Sequence, residues 1–175
     1  MGALAESEAA RIMQRRGVAV LPVCDALGNT SETRAPMLLS SDGTKLVAPD
    51  LLVFRARGHV WVDVKGKAVP SWHRNLGRWE HGIDYANFLH YEDVERETGL
   101  PAYLLIREDK SPEDPEAESP LRTADQWWTI ALSLARECGD MRPLWPGGKD
   151  PTRRGRDGLG GWLWPRRVMR RWVVE

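Results

Sequence analysis

Alternation of apolar and polar residues between positions 45 and 67 constrains the fold of this chain more than any other feature. Two apolar runs flank a short turn in the segment LVAPDLLVFRARGHVWVDVKGK. Valine at every second position of the second run predicts a strand, because successive side chains of a strand point to opposite faces of a sheet. We therefore expect a β-hairpin with strands over residues 45–54 and 59–65. Its buried face would consist of Leu51, Val53, Val60, Val62 and Val64.

The polar residues of this hairpin are expected on the opposite face. If Arg57-Gly58 is a two-residue turn, Asp50 pairs with Lys65, and Asp63 is a diagonal neighbour within ~7–8 Å at Cα. Two carboxylates from adjacent strands form a hard oxygen site that suits Mg²⁺ or Mn²⁺. A lysine beside them can orient or deprotonate an attacking water and offset charge on a phosphate. The pattern indicates phosphodiester hydrolysis; the alternative is a solvated polar strand edge.

The remaining periodicity predicts an α/β or α+β fold, with helices flanking one sheet. Helical spacing predicts two helices, over residues 4–16 and 82–99, which end at Gly17 and Gly99. Residues 68–79 are expected to form a loop that carries Trp and Arg. Residues 124–138 fit a helix or a strand, and the periodicity does not decide between them. Further strands are expected over residues 18–23, 100–106 and 161–164.

Composition is that of an ordinary globular protein. The 175 residues, 42% hydrophobic and 29% charged, fit a single domain over residues 1–175. Cys24 and Cys138 have no CxxC spacing, which excludes a cysteine zinc site or a disulfide framework. The amphipathic start is unlike a signal peptide, and no apolar run approaches the ~20 residues that span a bilayer. We expect a cytoplasmic protein without membrane association.

Charge is segregated along the chain although the formal net charge is zero. From residue 142 to 172 there are nine Lys or Arg against Asp150 and Asp157. The basic stretch 142–175 is therefore predicted to be mobile and to attract a polyanion such as DNA, with solvated basic loops as the alternative. Trp72 and Trp79 alternate with arginines in a way that favours base stacking. The predicted DNA contacts are Arg74, Arg78, Arg153, Arg154 and Arg156.

The layout resembles the PD-(D/E)xK nuclease superfamily. The resemblance rests on Pro49-Asp50, on Asp63-Val64-Lys65, and on the helix-strand segment that follows, which is similar to resolvase-like and phage-type members. Families in this group carry a glutamate on the first helix, and Glu8 precedes Gly17 by nine residues as expected, with Glu6 as the fallback. Asn87 departs from the glutamine that some members place four residues before the helix tyrosine, here Tyr91. Residues 4–107 carry most of the resemblance.

The resemblance implies a restriction-endonuclease-like core, in which helices flank a mixed central sheet. It also implies a metal-dependent DNA endonuclease that uses Mg²⁺ or Mn²⁺ and favours a homodimer. Lys65 would activate the water. The alternatives are a catalytically silent DNA-binding subunit, a junction resolvase and an RNase that uses the same site. The implied metal ligands are Asp50, Asp63, the carbonyl of Val64, and Glu8 as an outer ligand.

Overall fold

The computed structural model describes residues 2–23, 37–67, 70–109, 127–142 and 160–172. The helices are α1 (Gly2–Arg15), α2 (Tyr85–Thr98) and α3 (Leu132–Cys138), with single 3₁₀ turns at Arg74–Leu76 and Arg166–Val168. The strands are β1 (Ala19–Pro22), β2 (Met37–Leu39), β3 (Lys45–Val47), β4 (Leu51–Arg55), β5 (Gly58–Lys67), β6 (Ser71–His73), β7 (Arg78–Asp84), β8 (Ala102–Glu108), β9 (Trp127–Ala131), β10 (Asp140–Arg142), β11 (Gly161–Pro165) and β12 (Arg170–Arg171).

The main sheet has six strands in the order β1-β4-β5-β8-β9-β12. Strands β5 and β8 run parallel, whereas the other neighbours are antiparallel. A second, antiparallel sheet has the order β10-β11-β7-β6, and β2 pairs with β3. Helices pack on both faces of the main sheet, so the predicted α/β fold with a mixed central sheet and flanking helices is confirmed.

The two faces of β5 belong to two different cores. Its valines pack against Ala5, Ala9 and Ile12 of α1, as the alternation predicted. On the opposite face, Trp61 packs in a second core with α2, α3 and the second sheet. Because both faces are covered, the polar residues on the second face do not form a solvated strand edge.

The register of the β4–β5 hairpin differs from the predicted one by two residues. Arg55 pairs with Gly58 and Leu51 with Val62, so the turn is Ala56-Arg57. Gly58 has a φ of 114°, a conformation that favours glycine and is used here where the turn enters β5. A slip of two residues keeps every side chain on its face. It nevertheless moves Asp50 away from Lys65 and toward Asp63.

Three other predicted elements need correction. The strand over residues 45–54 is broken at Pro49, which has no N–H to donate to a ladder. The expected loop over residues 68–79 contains β6 and the start of β7, where Trp72 and Trp79 form a cross-strand pair with centroids 5.1 Å apart. As β7 continues to Asp84, α2 begins later than predicted. The ambiguous stretch 124–138 contains both a strand and a helix, β9 and α3.

No helix in the described ranges is long and apolar enough to cross a membrane.

Candidate active site

Asp50, which follows Pro49, places its carboxylate beside the part of β5 that does not pair with β4. Pairing of β4 with β5 ends at Leu51 and Val62. The next N–H of β5 on that side, that of Val64, therefore has no strand partner. Asp50 fills that position: its Oδ2 accepts a hydrogen bond from the N–H of Val64 at 2.7 Å. The carbonyl of Asp50 in turn accepts one from Val23 at 2.9 Å. The carboxylate is therefore fixed beside the backbone of residues 63–64.

Asp63 is buried beneath α2, with 1% of its surface exposed. Its Oδ1 accepts hydrogen bonds from Lys65 Nζ at 2.7 Å and from the hydroxyl of Tyr91 at 2.5 Å. Its Oδ2 is also buried but has no hydrogen-bond partner among the described residues. A buried carboxylate oxygen without a donor is costly, because it has lost water and gained nothing in return. That oxygen is available to a cation.

The two aspartates repel each other in a medium of low polarity. Burial, together with the neighbouring charge of Asp63, raises the pKa of Asp50 from 3.8 to about 7. For Lys65, burial lowers the pKa, but the charges of Asp63 and Asp50 outweigh it and the net change is upward. Lys65 is therefore an ammonium at neutral pH, able to donate hydrogen bonds and unable to accept a proton. Burial and the charge of Asp63 hold the pKa of Tyr91 well above its ordinary value, which keeps its hydroxyl a donor.

The carbonyl of Val64 faces the same side as Asp50. In a strand, the N–H and C=O of one residue point to the same neighbour, and successive residues alternate. The N–H of Trp61 donates to Pro101, on the side of β8, whereas that of Val64 donates to Asp50, on the other side. The carbonyl of Val64 therefore points away from β8, as its predicted role as a ligand requires.

These oxygens fit a small, hard cation. In the described part of the chain, no group of three or more His, Cys, Asp or Glu side chains could hold a metal. The donor set is instead two carboxylates and one main-chain carbonyl. Mg²⁺ suits such a set, since it keeps several waters and uses only one or two protein carboxylates. The orphaned Oδ2 of Asp63 is the observation that supports this fit.

The two glutamates considered on α1 have different surroundings. Glu8 binds Arg107 at 2.7 Å, and Arg107 also contacts Asp109. The charge of Glu6, by contrast, acts on both Asp50 and Lys65. Two residues on a helix with 3.6 residues per turn point in nearly opposite directions, so only one of them can face the site. The ion pair of Glu8 with Arg107 and the charge of Glu6 at the site favour Glu6, the fallback, as the outer ligand.

The predicted DNA contacts have different outcomes. Arg78 donates through Nε to the buried Glu80 at 2.8 Å, and Arg142 binds the same carboxylate oxygen. Arg78 is thus held in an internal ion pair, and its contact with DNA stays a prediction. Arg74 is exposed, in the 3₁₀ turn that the ring of His73 caps. Three predicted contacts lie outside the described residues: Arg153, Arg154 and Arg156.

Three further residues lie near Asp50 and Asp63; the sequence left the role of one open and did not single out the other two. Tyr91, which the sequence left as either a core residue or a positioning group, is a buried residue whose hydroxyl contacts Asp63. Lys67 lies two residues beyond Lys65 and so on the same face. Asp84, immediately before α2, acts electrostatically on both Lys67 and Tyr91. The alternation D-x-K-x-K was visible in the sequence and would have identified Lys67.

Comparison with known proteins gives little beyond the fold. No protein-family model matches the chain, and no curated protein does. Among solved structures, the chain is similar to Hjc, a Holliday junction resolvase from the archaeal hyperthermophile Archaeoglobus fulgidus, with a TM-score of 0.49 and 12% sequence identity. The alignment covers 95% of this chain and 90% of the resolvase. A likeness of this size assigns neither a family nor an activity to the chain.

Proposed function

We propose that this protein is a divalent-metal-dependent nuclease that hydrolyses DNA phosphodiester bonds as an endonuclease. The observation that carries the proposal is the orphaned, buried Oδ2 of Asp63 beside the carboxylate of Asp50. Two buried carboxylates that repel each other destabilise the free protein, and a bound cation would remove that cost. Asp50, Asp63 and the carbonyl of Val64 would hold the cation. Glu6 supplies the outer carboxylate.

The cofactor is Mg²⁺ or Mn²⁺. When bound, such a cation stabilises negative charge on a phosphoryl group and lowers the pKa of water.

The chain's own residues have separate tasks around it. Asp50 is oriented by the amide of Val64, and Asp63 by the hydroxyl of Tyr91. Lys65 is an ammonium 2.7 Å from Asp63, and it donates hydrogen bonds to the attacking water or to a phosphate oxygen. Its fixed charge offsets the negative charge of the transition state.

The choice of DNA, and of a homodimer, rests on the resemblance of the Pro-Asp and Asp-Val-Lys pattern to the PD-(D/E)xK nucleases. Residues 1–175 would form one domain, with the basic stretch 142–175 supplying affinity for the polyanion. These parts of the proposal concern substrate and assembly and are separable from the chemistry of the site.

The test is cleavage of supercoiled plasmid, linear duplex, single strands, a four-way junction and RNA in Mg²⁺ or Mn²⁺. We expect DNA to be cut, and Asp63→Asn to abolish cutting in Mg²⁺ with partial recovery in Mn²⁺. Lys65→Ala should lower the rate by ~10²-fold or more. Asp93→Asn, on the outer surface of α2, is the matched control and should cut normally. Wild-type protein that cuts none of these substrates with either metal would overturn the proposal, and binding without cutting would identify a silent DNA-binding subunit.

A further inference from the structure

Strand β5 carries a second lysine beyond the residues assigned to catalysis. Lys67 is its last residue, and its side chain lies on the same face as those of Asp63 and Lys65. Two residues of a strand span ~6.6–6.8 Å. That spacing is similar to the separation of consecutive phosphates along one nucleic-acid strand. Lys67 is half-buried, so its ammonium group is partly withdrawn from water.

Lys67 has no carboxylate partner within the described ranges. Its cross-strand neighbour on β8 is Glu108. That carboxylate is already satisfied by Arg166, through Nε at 2.6 Å and Nη2 at 2.8 Å, and by His81 at 2.7 Å. Lys65, in contrast, is paired with Asp63 at 2.7 Å. Of the two lysines, Lys67 is the one left free for an outside anion.

The electrostatic surroundings of Lys67 agree with its geometry. Burial lowers the pKa of Lys67, and the charge of Lys65 lowers it further. Asp84 and Asp63 offset part of this effect from a distance. A partly desolvated ammonium held next to another one gains most from a bound anion, which supplies the missing counter-charge.

We propose that Lys67 binds the phosphate adjacent to the scissile one, on the strand that is cut. The inference rests on the proposed nuclease function and deepens it: the site recognises at least two consecutive phosphates, with Lys65 at the first and Lys67 at the second. A substrate that lacks a charged phosphate at the second position would lose this contact.

The test is a double-mutant cycle between the protein and the nucleic acid. Lys67→Met keeps an unbranched side chain, one atom shorter, and removes its charge. In the substrate, a neutral methylphosphonate replaces one phosphate at a time on either side of the cleaved bond. Lys45→Met, in the exposed first position of β3, is the matched control for the loss of a lysine.

We expect Lys67→Met to weaken kcat/KM by about 10–100-fold, the effect of one hydrogen bond to a charged group. At one flanking position, methylphosphonate should lower the kcat/KM of wild-type protein by a similar factor and leave that of Lys67→Met unchanged. At the other positions, methylphosphonate should lower the kcat/KM of wild type and variant by the same factor. Lys67→Arg should recover part of the activity, and Lys45→Met should behave as wild type.

If the effects of Lys67→Met and of methylphosphonate on kcat/KM are independent at every position, the inference is overturned, even if Lys67→Met is less active. Activity of Lys67→Met equal to that of wild type would overturn it as well. The same scan, read as binding in Ca²⁺, keeps the inference testable if wild-type protein does not cut. In that case the proposed function fails, and coupling at a single phosphate still decides the role of Lys67.

Discussion

Replacing Asp50 by asparagine should stabilise the free protein while it destroys the metal site. Asp50 carries a charge that the fold disfavours: its pKa is raised from 3.8 to about 7 by burial and by the charge of Asp63. Asparagine keeps the oxygen that accepts the hydrogen bond from Val64. It removes the charge and replaces the second carboxylate oxygen by an NH2 group of similar size. The substitution therefore isolates the electrostatic cost of the site from its packing.

The magnitude follows from the two pKa values. Between pH 3.8 and about 7, the folded protein holds a proton on Asp50 that the unfolded chain has released. The unfolded state then binds fewer protons, so the free energy of unfolding falls as the pH rises through this window. At ~1.4 kcal/mol per pH unit, the loss is about 4 kcal/mol by pH 8. Asp50→Asn has no carboxyl group to ionise and does not show this loss. The variant should therefore match the stability of wild type near pH 4 and exceed it by about 4 kcal/mol at pH 8.

Urea denaturation in EDTA, at several pH values from 4 to 8, measures this difference. Asp93→Asn is the matched control, since Asp93 lies in a surface pair with Arg96 on α2 and should change stability by only ~0.2–1 kcal/mol. Adding Mg²⁺ at pH 8 should stabilise wild type by mass action and leave Asp50→Asn unchanged. If Asp50→Asn is no more stable than wild type at pH 8, or if the difference does not vary with pH, the two aspartates do not compete as described.

Three other predictions address the neighbours of the pair. Glu6→Gln should lower the cleavage rate more than Glu8→Gln, which removes only the ion pair with Arg107; steady-state rates in Mg²⁺ rank the two, and the opposite order would restore Glu8 as the outer ligand. Tyr91→Phe should keep the fold, as judged by circular dichroism, yet slow cleavage by ~10-fold or more, because a hydrogen bond to a charged group is worth ~1.5–3 kcal/mol. Changing Arg153, Arg154 and Arg156 to alanine should weaken DNA binding and flatten the dependence of log K on log salt; an unchanged slope would mean that this stretch does not contact phosphates.

What could be predicted from the sequence was mostly local. Alternating valines assigned the two faces of β5, since side-chain direction in a strand depends only on the parity of the position. The register was not predicted. The turn begins one residue earlier than expected, with Gly58 at a positive φ directly after it. The predicted pairing of Asp50 with Lys65 was wrong for this reason, since Asp50 lies just before β4 and binds the backbone of Val64.

The same distinction explains why the ion pairs of Glu8 and Arg78 were not predicted. Both glutamates lie on the predicted helix, but which one faces the site depends on the position of Arg107, a residue of β8 distant in sequence. Strand β7 was missed because buried Glu80 and partly buried Arg78 interrupt its apolar pattern. The charges of Arg78 and Glu80 are compensated by each other and by Arg142 of β10. No local pattern contains that information.

The position of β5 in the sheet gives its charged residues their significance. Parallel pairing with β8 requires cover on both faces, which α1 and α2 provide. On an edge strand, Asp63 and Lys65 would be solvated and unremarkable. On a strand covered from both sides, a carboxylate costs free energy unless every oxygen has a partner. Tyr91 and Lys65 satisfy one oxygen of Asp63 and nothing among the described residues satisfies the other. The fold therefore maintains a charge that its own interactions leave incompletely compensated, and this is the strongest physical reason to assign the site to a ligand and not to the stability of the sheet.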